Sequence, residues 1–587
     1  MRPEPNPPMG EEPREGCHSC GLTKVHAAAT DCPSRQTWLS ATATCSASHT
    51  WTTNVAWGLG PGWSQARNRP ELVVTSDQEV VIGTAGLTRE AVVRVARSGA
   101  PARISEEAET AMAAARSLVE SVGTGSTPVY GVSTGFGLLA NTWIPADRRS
   151  DLQHALIRSH AAGMGSPVET EVVRAMMLLR ARSLCLGFSG SRPVIALALV
   201  DLLNAGITPV VPEHGSLGAS GDLAPLAHMS LVLMGEGRAE LPDGRVVDGE
   251  EALRVAGLSA TQLEVKDGLS LINGTDGMLG MLVLALADLD TLLVTADIAA
   301  ALSTEALLGT DRPFLEELHA IRPHPGQVAS AANLRRLLAG SEVRASHVES
   351  AHLVQDAYSI RCAPQVTGAA RDTWRFATEV ADRELRSAVD NPVVLADGRV
   401  ESTGNFHGEP LAFACDFLAI AAAEVGAIAE RRVDRILDPV RSQGLPPFLA
   451  VEPGVNSGLM IAQYTAAAMV AENRRLAQPA SVDSIPTSGM QEDHVSMGWG
   501  AARKLRRVVD NLSRVLAVEL LAASRGIEYR RPLAPGPAGL AVSRLVLELG
   551  GSTGPDRFLS PELEAVAAAV RSGKIREVAE SAVGDLA

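Results

Sequence analysis

Long stretches of the second half of the chain carry apolar residues at every third or fourth position. This is the spacing of one face of an α-helix. The pattern covers about residues 411–437, 457–477 and 493–527, and an apolar run extends from residue 278 to about residue 308. We therefore predict a mainly α fold built on a bundle of long helices.

The first half of the chain predicts shorter helices, which start at capping residues and end at glycines. Thr88 opens a partial capping box, and Ser105 precedes two glutamates that would lie in the first turn of a helix. Gly163, Gly187 and Gly206 each follow a helical pattern, where glycine commonly ends a helix. The predicted helices cover residues 88–97, 108–122, 152–163, 172–186 and 194–205. The segments between them leave room for only a few short strands.

Composition and charge narrow the classes of function. Of 587 residues, 46% are hydrophobic but only 3% aromatic, so the core is rich in Ala, Leu and Val, which favours helices. The net charge of −15 leaves no basic stripe for nucleic acid. Asp288, Asp290 and Asp297 interrupt the most apolar run, so we expect no membrane span. The N-terminus lacks the pattern of a signal peptide, and the cysteines of the main body are scattered, so we expect a reducing, cytoplasmic location.

Residues 1–78 differ from the rest of the chain, because Pro, Gly, Ser and Thr punctuate them and no helical or strand period is sustained. Cys17 and Cys20, with Cys32 or Cys45 and a nearby histidine, suggest zinc, but the second pair lacks zinc-site spacing. We expect a disordered N-terminal extension.

The segment from Gly215 to His228, GSLGASGDLAPLAH, contains a possible source of an electrophile. Gly221 has no Cβ, so its backbone nitrogen can approach the carbonyl of Ala219 closely. Attack there with loss of water closes a five-membered ring, and loss of the Ser220 hydroxyl as a second water leaves an exocyclic methylidene. Asp222 is placed to assist the proton transfers. The bare tripeptide alone would indicate only a flexible loop.

The longer string resembles the segment that forms 4-methylidene-imidazol-5-one (MIO) in the ammonia-lyase family acting on histidine, phenylalanine or tyrosine. The resemblance runs from about Val80 to the C-terminus, and the histidine-specific members match best. It implies that Ala219, Ser220 and Gly221 form the MIO group, and that no metal is needed.

The resemblance also implies the other site residues. YGVSTGFG carries a catalytic tyrosine at Tyr130, SHAAG a specificity residue at His160, and QEDHVS the glutamate Glu492, where phenylalanine- and tyrosine-specific relatives usually carry glutamine. The remaining implied substrate-binding residues are Asn273, Gln355, Tyr358, Arg361 and Phe406.

Each of these motifs has a structural alternative. The glycine loop after Tyr130 lacks the ending of a P-loop, and the spacing of His347 and His352 is not that of a zinc protease. Without the resemblance, Pro364 would mark the end of a solvated helix, and Asp493 would be the cap of the next one.

The resemblance implies non-oxidative elimination of ammonia from L-histidine to give trans-urocanate, the first step of histidine degradation. Members of the ammonia-lyase family are mainly helical homotetramers with shared active sites, so the resemblance also implies this assembly. We expect an N-terminal MIO-bearing domain at residues 79–290 and a long-helix bundle at residues 291–587. The alternatives are a phenylalanine or tyrosine ammonia-lyase, an aminomutase, or a helical oligomer that has lost the cofactor.

Overall fold

The computed structural model describes residues 79–123, 128–349 and 354–587. The predicted extension and the zinc alternative at residues 1–78 lie outside the described residues. The described residues group into one compact unit. The predicted boundary at residue 290 falls inside a long helix, Asp276–Ala306, and stays a prediction.

The described chain is mainly helical, which confirms the predicted fold class. The helices of the first half are α1 (Arg89–Ser98), α2 (Glu106–Gly123), α3 (Arg149–His160), α4 (Thr170–Cys185), α5 (Pro193–Asn204), α6 (Leu223–Leu233), α7 (Gly249–Ala256), α8 (Asp267–Ile272) and α9 (Asp276–Ala306). Those of the second half are α10 (Glu316–Ala320), α11 (Pro325–Leu337), α12 (Glu342–Ala345), α13 (Tyr358–Arg361), α14 (Ala363–Glu384), α15 (Glu409–Leu437), α16 (Met460–Leu476), α17 (Gly498–Glu528), α18 (Pro537–Gly550), α19 (Ser560–Arg571) and α20 (Lys574–Val583).

The strands are short and form small separate sheets. They are β1 (Val80–Ile82), β2 (Ala102–Ile104), β3 (Met164–Pro167), β4 (Thr208–Pro209), β5 (Pro212–His214), β6 (Arg238–Glu240), β7 (Val246–Asp248), β8 (Val393–Val394) and β9 (Val400–Glu401). β1 pairs with β2 in parallel, while β3–β5, β4–β6–β7 and β8–β9 are antiparallel.

The core lies around α9, which packs against α15 and α17. Nearly every side chain of α9 is buried, and its more accessible positions lie around Asp288 and Asp290. A helix that is apolar on all faces belongs in the centre of a large core.

Two segments, Asp267–Ala306 and Glu409–Leu437, are long and apolar enough to cross a membrane by composition. Their most apolar windows are 78% and 67% buried inside the protein. This burial is typical of core helices.

Capping residues explain several helix boundaries. The Thr88 hydroxyl accepts the backbone N–H of Ala91, and Gly99 ends α1 in the left-handed conformation. Two structural alternatives considered for the motifs are not observed as stated. Pro364 lies in the first turn of α14 and so begins a helix, a position that proline favours. Asp493 is not the cap of α17, because that helix begins at Gly498 after Met497.

Candidate active site

The segment predicted to form the cofactor lies between β5 and α6 and contacts the turn between α8 and α9. Gly221 has a left-handed φ of 76°, and a Cβ there would lie 2.2 Å from the carbonyl oxygen of Gly274. The backbone N–H of Asp222 donates to that same oxygen at 2.8 Å. Glycine at 221 is therefore required both by its φ and by the space available. Asn273 directly precedes Gly274 in the chain, so this contact brings Asn273 close to Gly221.

Asp222 holds this segment to the start of α9. Its buried carboxylate accepts the backbone N–H groups of Gly277 and Met278 at 2.9 Å each, and the Ser216 hydroxyl donates to it at 3.1 Å. Burial raises the pKa of Asp222 to about 7, and the nearby Asp276 adds to the rise. A carboxyl with this pKa can gain or lose a proton near neutral pH.

A second chain segment, the loop between α16 and α17, lies against the other side of the cofactor-forming loop. A Cβ on Gly218 would lie 2.1 Å from Oγ of Ser496, and the Ser496 hydroxyl donates to the carbonyl of Gly218 at 3.3 Å. The backbone N–H of Met497 donates to the carbonyl of Leu217 at 2.8 Å. The loop that carries Glu492 is therefore fixed against the predicted electrophile.

The chain after α3 contacts the same loop. The backbone N–H of Gly163 donates to Nε2 of His228 on α6 at 2.9 Å. A Cβ on Gly215 would lie 3.1 Å from Cα of Gly163. These contacts bring the end of the SHAAG motif, three residues after His160, to the cofactor-forming segment.

His160 is the last residue of α3 and is half-buried. Its Nδ1 lies 2.9 Å from the carbonyl oxygen of Leu156, so Nδ1 carries the proton and Nε2 is an acceptor in the neutral ring. Burial lowers the pKa of His160, and this outweighs the opposing effects of that hydrogen bond and of Glu492. The ring is therefore neutral at pH 7.

Tyr130 lies in the glycine loop between α2 and α3. The backbone N–H of Gly137 donates to its hydroxyl oxygen at 3.3 Å, and the ring of Phe136 packs edge-on against it with centroids 6.1 Å apart. Burial raises the pKa of Tyr130; Glu492 raises it further, and the Gly137 hydrogen bond opposes the rise. The phenol is therefore protonated at neutral pH.

Glu492 lies within electrostatic range of both Tyr130 and His160. Its Oε1 would be 3.6 Å from a Cβ on Gly137. Its Oε2 is buried and has no hydrogen-bond partner among the described residues. A buried carboxylate oxygen of this kind is usually met by a donor from a ligand or from water.

Asn273 follows α8 and is buried. Its Nδ2 donates to the carbonyl oxygen of Asn391 at 2.8 Å and to Oδ1 of Asp390 at 3.3 Å. Its Oδ1 is buried and accepts no hydrogen bond from the described residues.

The other predicted substrate-binding residues are less closely associated with this site. Gln355 is exposed, and Tyr358 is 71% exposed. The guanidinium of Arg361 lies 4.4 Å from the ring centroid of Tyr358, and its Nε is buried without a partner. Within the described ranges, no hydrogen bond or ring contact joins Tyr358 or Arg361 to Tyr130.

Phe406 is half-buried on the loop before α15. A Cβ on the nearby Gly408 would lie 3.3 Å from Oγ of Ser496, so this loop approaches the side of the site that Ser496 occupies.

Sequence reasoning missed two groups of residues. Lys266 forms a buried ion pair with Asp390, at an Nζ–Oδ2 distance of 2.8 Å. His407, Glu409 and His494 offer ligand atoms within 4.8 Å of one another and could hold a metal ion. Lys266 and Asp390 are 124 residues apart, and His494 is 87 residues from His407, so neither group is contained in one local motif.

Known proteins resemble this chain over most of its length. The model of the aromatic amino acid lyase family matches residues 87–548. A histidine ammonia-lyase of Streptomyces avermitilis is 61% identical over 509 residues, which cover 86% of this chain and 99% of that protein.

Solved structures also resemble this chain over most of its length. A tyrosine aminomutase of Streptomyces globisporus superimposes with a TM-score of 0.82 at 39% identity, covering 87% of this chain and all of that one. A histidine ammonia-lyase of Trypanosoma cruzi gives a TM-score of 0.79 at 39% identity, covering 86% and 96%. With the family model matched across more than half of its length, the chain belongs to the aromatic amino acid lyase family.

Proposed function

We propose that the chain is a histidine ammonia-lyase, which eliminates ammonia from L-histidine to give trans-urocanate, the first step of histidine degradation. One observation supports the choice of substrate: Glu492 lies at the tyrosine loop and within electrostatic range of His160, and the loop that carries it contacts the cofactor-forming segment. The high identity to a histidine ammonia-lyase over nearly its full length supports the same substrate.

The imidazole of histidine fits the polar groups of this site. The unpartnered Oε2 of Glu492 can accept the imidazole N–H, and Nε2 of His160 is a further acceptor. A phenyl ring would leave the buried carboxylate oxygen without a donor, at a cost of about 1–3 kcal/mol. This difference disfavours phenylalanine.

The residues at positions 219–221 fit the formation of MIO. Gly221 has the φ of a tight turn, and its close contact with Gly274 fixes the backbone. Asp222, whose pKa is about 7, lies next to the residue whose nitrogen would close the ring. MIO supplies an electrophile that captures the substrate amine, which no ordinary side chain can do.

The other roles follow from the chemistry of the side chains. Tyr130 is the proposed base that removes the weakly acidic β-proton, and it must first lose its own proton. Arg361 would bind the substrate carboxylate through two parallel hydrogen bonds. Gln355, Tyr358, Asn273 and Phe406 would line the site.

We further propose a homotetramer with shared active sites. Tyr358 is 71% exposed, although its proposed role needs an enclosed position. Phe376, Phe413, Phe417 and Ile420 on α14 and α15 are also between 42% and 45% exposed, and such apolar patches mark interaction surfaces. A cytoplasmic location, with no nucleic-acid or membrane partner, fits the acidic chain.

Two measurements test this proposal. The purified chain should convert L-histidine to urocanate, followed by ultraviolet absorbance, and should act much more slowly on phenylalanine and tyrosine. Its intact mass should be lower than that of the unmodified chain by two waters, and Ser220→Ala should abolish both this loss and the activity. An unmodified mass, or equal activity on phenylalanine, would contradict the proposal.

A further inference from the structure

Lys266 lies in an environment where a lysine needs a specific partner. It is fully buried and has a left-handed φ of 74° at the start of α8, a conformation that is costly for a residue with a side chain. Its Nζ donates to Oδ2 of Asp390 at 2.8 Å and to the Ser270 hydroxyl at 3.1 Å. Burial lowers the pKa of Lys266, and Asp390 is the main group that opposes this shift.

The other carboxylate oxygen of Asp390 faces the site. Oδ1 accepts the backbone N–H of Asn391 at 2.7 Å and Nδ2 of Asn273 at 3.3 Å. The carbonyl oxygen of Asn391 accepts the same Nδ2 at 2.8 Å. The two protons of the Asn273 amide therefore have two acceptors on one side.

This arrangement permits only one orientation of the Asn273 amide. A flip would place its Oδ1 against the carboxylate of Asp390 and the carbonyl of Asn391, so that acceptors would face each other. An unmatched buried pair of this kind costs about 1–3 kcal/mol. In the observed orientation the carbonyl oxygen of Asn273 remains buried without a donor.

The next residue along the chain contacts the predicted electrophile, since Gly274 lies against Gly221. An acceptor at Asn273 thus lies beside the place where an amino-acid substrate would present its amine. We propose that the Lys266–Asp390 ion pair positions Asn273, so that its carbonyl oxygen accepts an N–H of the substrate amine. The inference rests on the proposed function.

Both members of the pair are needed for this role. Asp390 supplies the acceptor that prevents the flip, and Lys266 is the buried ion-pair partner that holds the Asp390 carboxylate in place. Neither residue touches the substrate, so both are positioning residues.

The test compares two ligands that differ by the amine alone: L-histidine, and imidazolepropionate, which is histidine without the amine. In Asp390→Asn, the amide N–H of the new side chain can donate to Oδ1 of Asn273. This hydrogen bond would stabilise the flipped orientation of the Asn273 amide. We expect kcat/KM for L-histidine to fall by about tenfold to a hundredfold. The inhibition constant of imidazolepropionate should stay within about twofold, because this ligand has no amine to lose. The double variant Lys266→Met with Asp390→Asn should show the same difference, with a lower kcat/KM for L-histidine and an unchanged inhibition constant of imidazolepropionate.

A second lysine–aspartate pair, in which the aspartate is buried and the lysine partly exposed, provides the control. Lys504 Nζ lies 2.7 Å from Oδ1 of Asp416, which is fully buried between α15 and α17. Lys504→Met with Asp416→Asn should lower the melting temperature but leave the ratio of the two ligand constants unchanged.

Equal weakening of both ligands in Asp390→Asn, or no change in either, would overturn the inference. If the double variant fails to fold, the single Asp390→Asn variant still provides the comparison. Failure of the proposed function itself would appear separately, as a wild-type chain with no histidine turnover and no loss of two waters.

Discussion

Gly221 and Gly274 are in direct contact, and neither has room for a side chain. A Cβ on Gly221 would lie 2.2 Å from the carbonyl oxygen of Gly274, and one on Gly274 would lie 2.0 Å from Nη1 of Arg180. Arg180 is itself buried and paired with Asp276, at 3.1 Å. The turn between α8 and α9 therefore forms a rigid support for the residues that would close the MIO ring.

Gly274→Ala should prevent or slow MIO formation, because the new methyl group would lie 2.0 Å from Nη1 of Arg180 and 2.3 Å from Oδ2 of Asp276 and must push this buried ion pair apart. We expect an intact mass without the loss of two waters, and little histidine turnover. Gly500→Ala is the matched control: neither Gly274 nor Gly500 has a positive φ, but a Cβ on Gly500 meets nothing within 4 Å. Complete maturation of the Gly274→Ala chain would mean that this contact does not govern the reaction.

Glu492→Gln should reduce kcat/KM for L-histidine by about tenfold to a hundredfold, the effect of losing a charge-assisted hydrogen bond from a buried site. The loss should be much smaller for phenylalanine, which has no N–H to donate. Glu316→Gln on α10 removes an 81%-exposed carboxylate and should change neither rate. Steady-state kinetics on both substrates measure the difference. Unchanged histidine turnover in Glu492→Gln would contradict the proposal that Glu492 binds the imidazole of the substrate.

If Tyr130 is the base, kcat/KM should rise with pH through the neutral and alkaline range. Burial and Glu492 raise the pKa of Tyr130, so the active phenolate is a minor species at pH 7 and becomes more abundant as the pH increases. Tyr130→Phe should lower kcat by about a hundredfold to ten thousandfold. Tyr464→Phe on α16, where the ring is 62% exposed, is the control. A Tyr130→Phe variant with near-normal activity would assign the proton transfer to another group.

The sequence predicts the long helices well because each buries a broad apolar face, and this burial requires apolar residues at every third or fourth position. It fails where one residue type has two opposite uses. Pro364 can follow one helix or begin the next, and here it begins α14 directly after the short helix α13. Only the packing of the following residues distinguishes these cases.

The same limit applies to the site. Tyr130, His160 and Glu492 could be named from motifs, because each is embedded in a distinctive local string. Lys266 and Asp390 could not, since they are 124 residues apart and meet only through the fold. Their buried contact depends on the tertiary structure, and the residues around Lys266 or around Asp390 do not indicate that the two side chains meet.

Asp222 should make folding stability fall as the pH rises. Its pKa is about 7 in the folded chain and about 3.9 for an unfolded aspartate, so the folded state binds more protons between these two values. Stability from this group is present at the acidic end of the window and is lost as the pH rises towards 7. Glu305, whose pKa burial also raises to about 7, acts in the same direction.

Melting temperatures measured from about pH 5 to about pH 8 should therefore fall less steeply in Asp222→Asn than in the wild type. The amide oxygen can still accept the N–H groups of Gly277 and Met278, so the variant should remain folded. Asp243→Asn serves as the control, because hydrogen bonds from Arg245 lower the pKa of this exposed carboxyl, so it is ionised throughout this pH range and its variant should keep the wild-type slope. If the slope in Asp222→Asn equals that of the wild type, Asp222 is ionised in the folded protein throughout this range. In that case it could not act as a neutral-pH proton donor during ring closure.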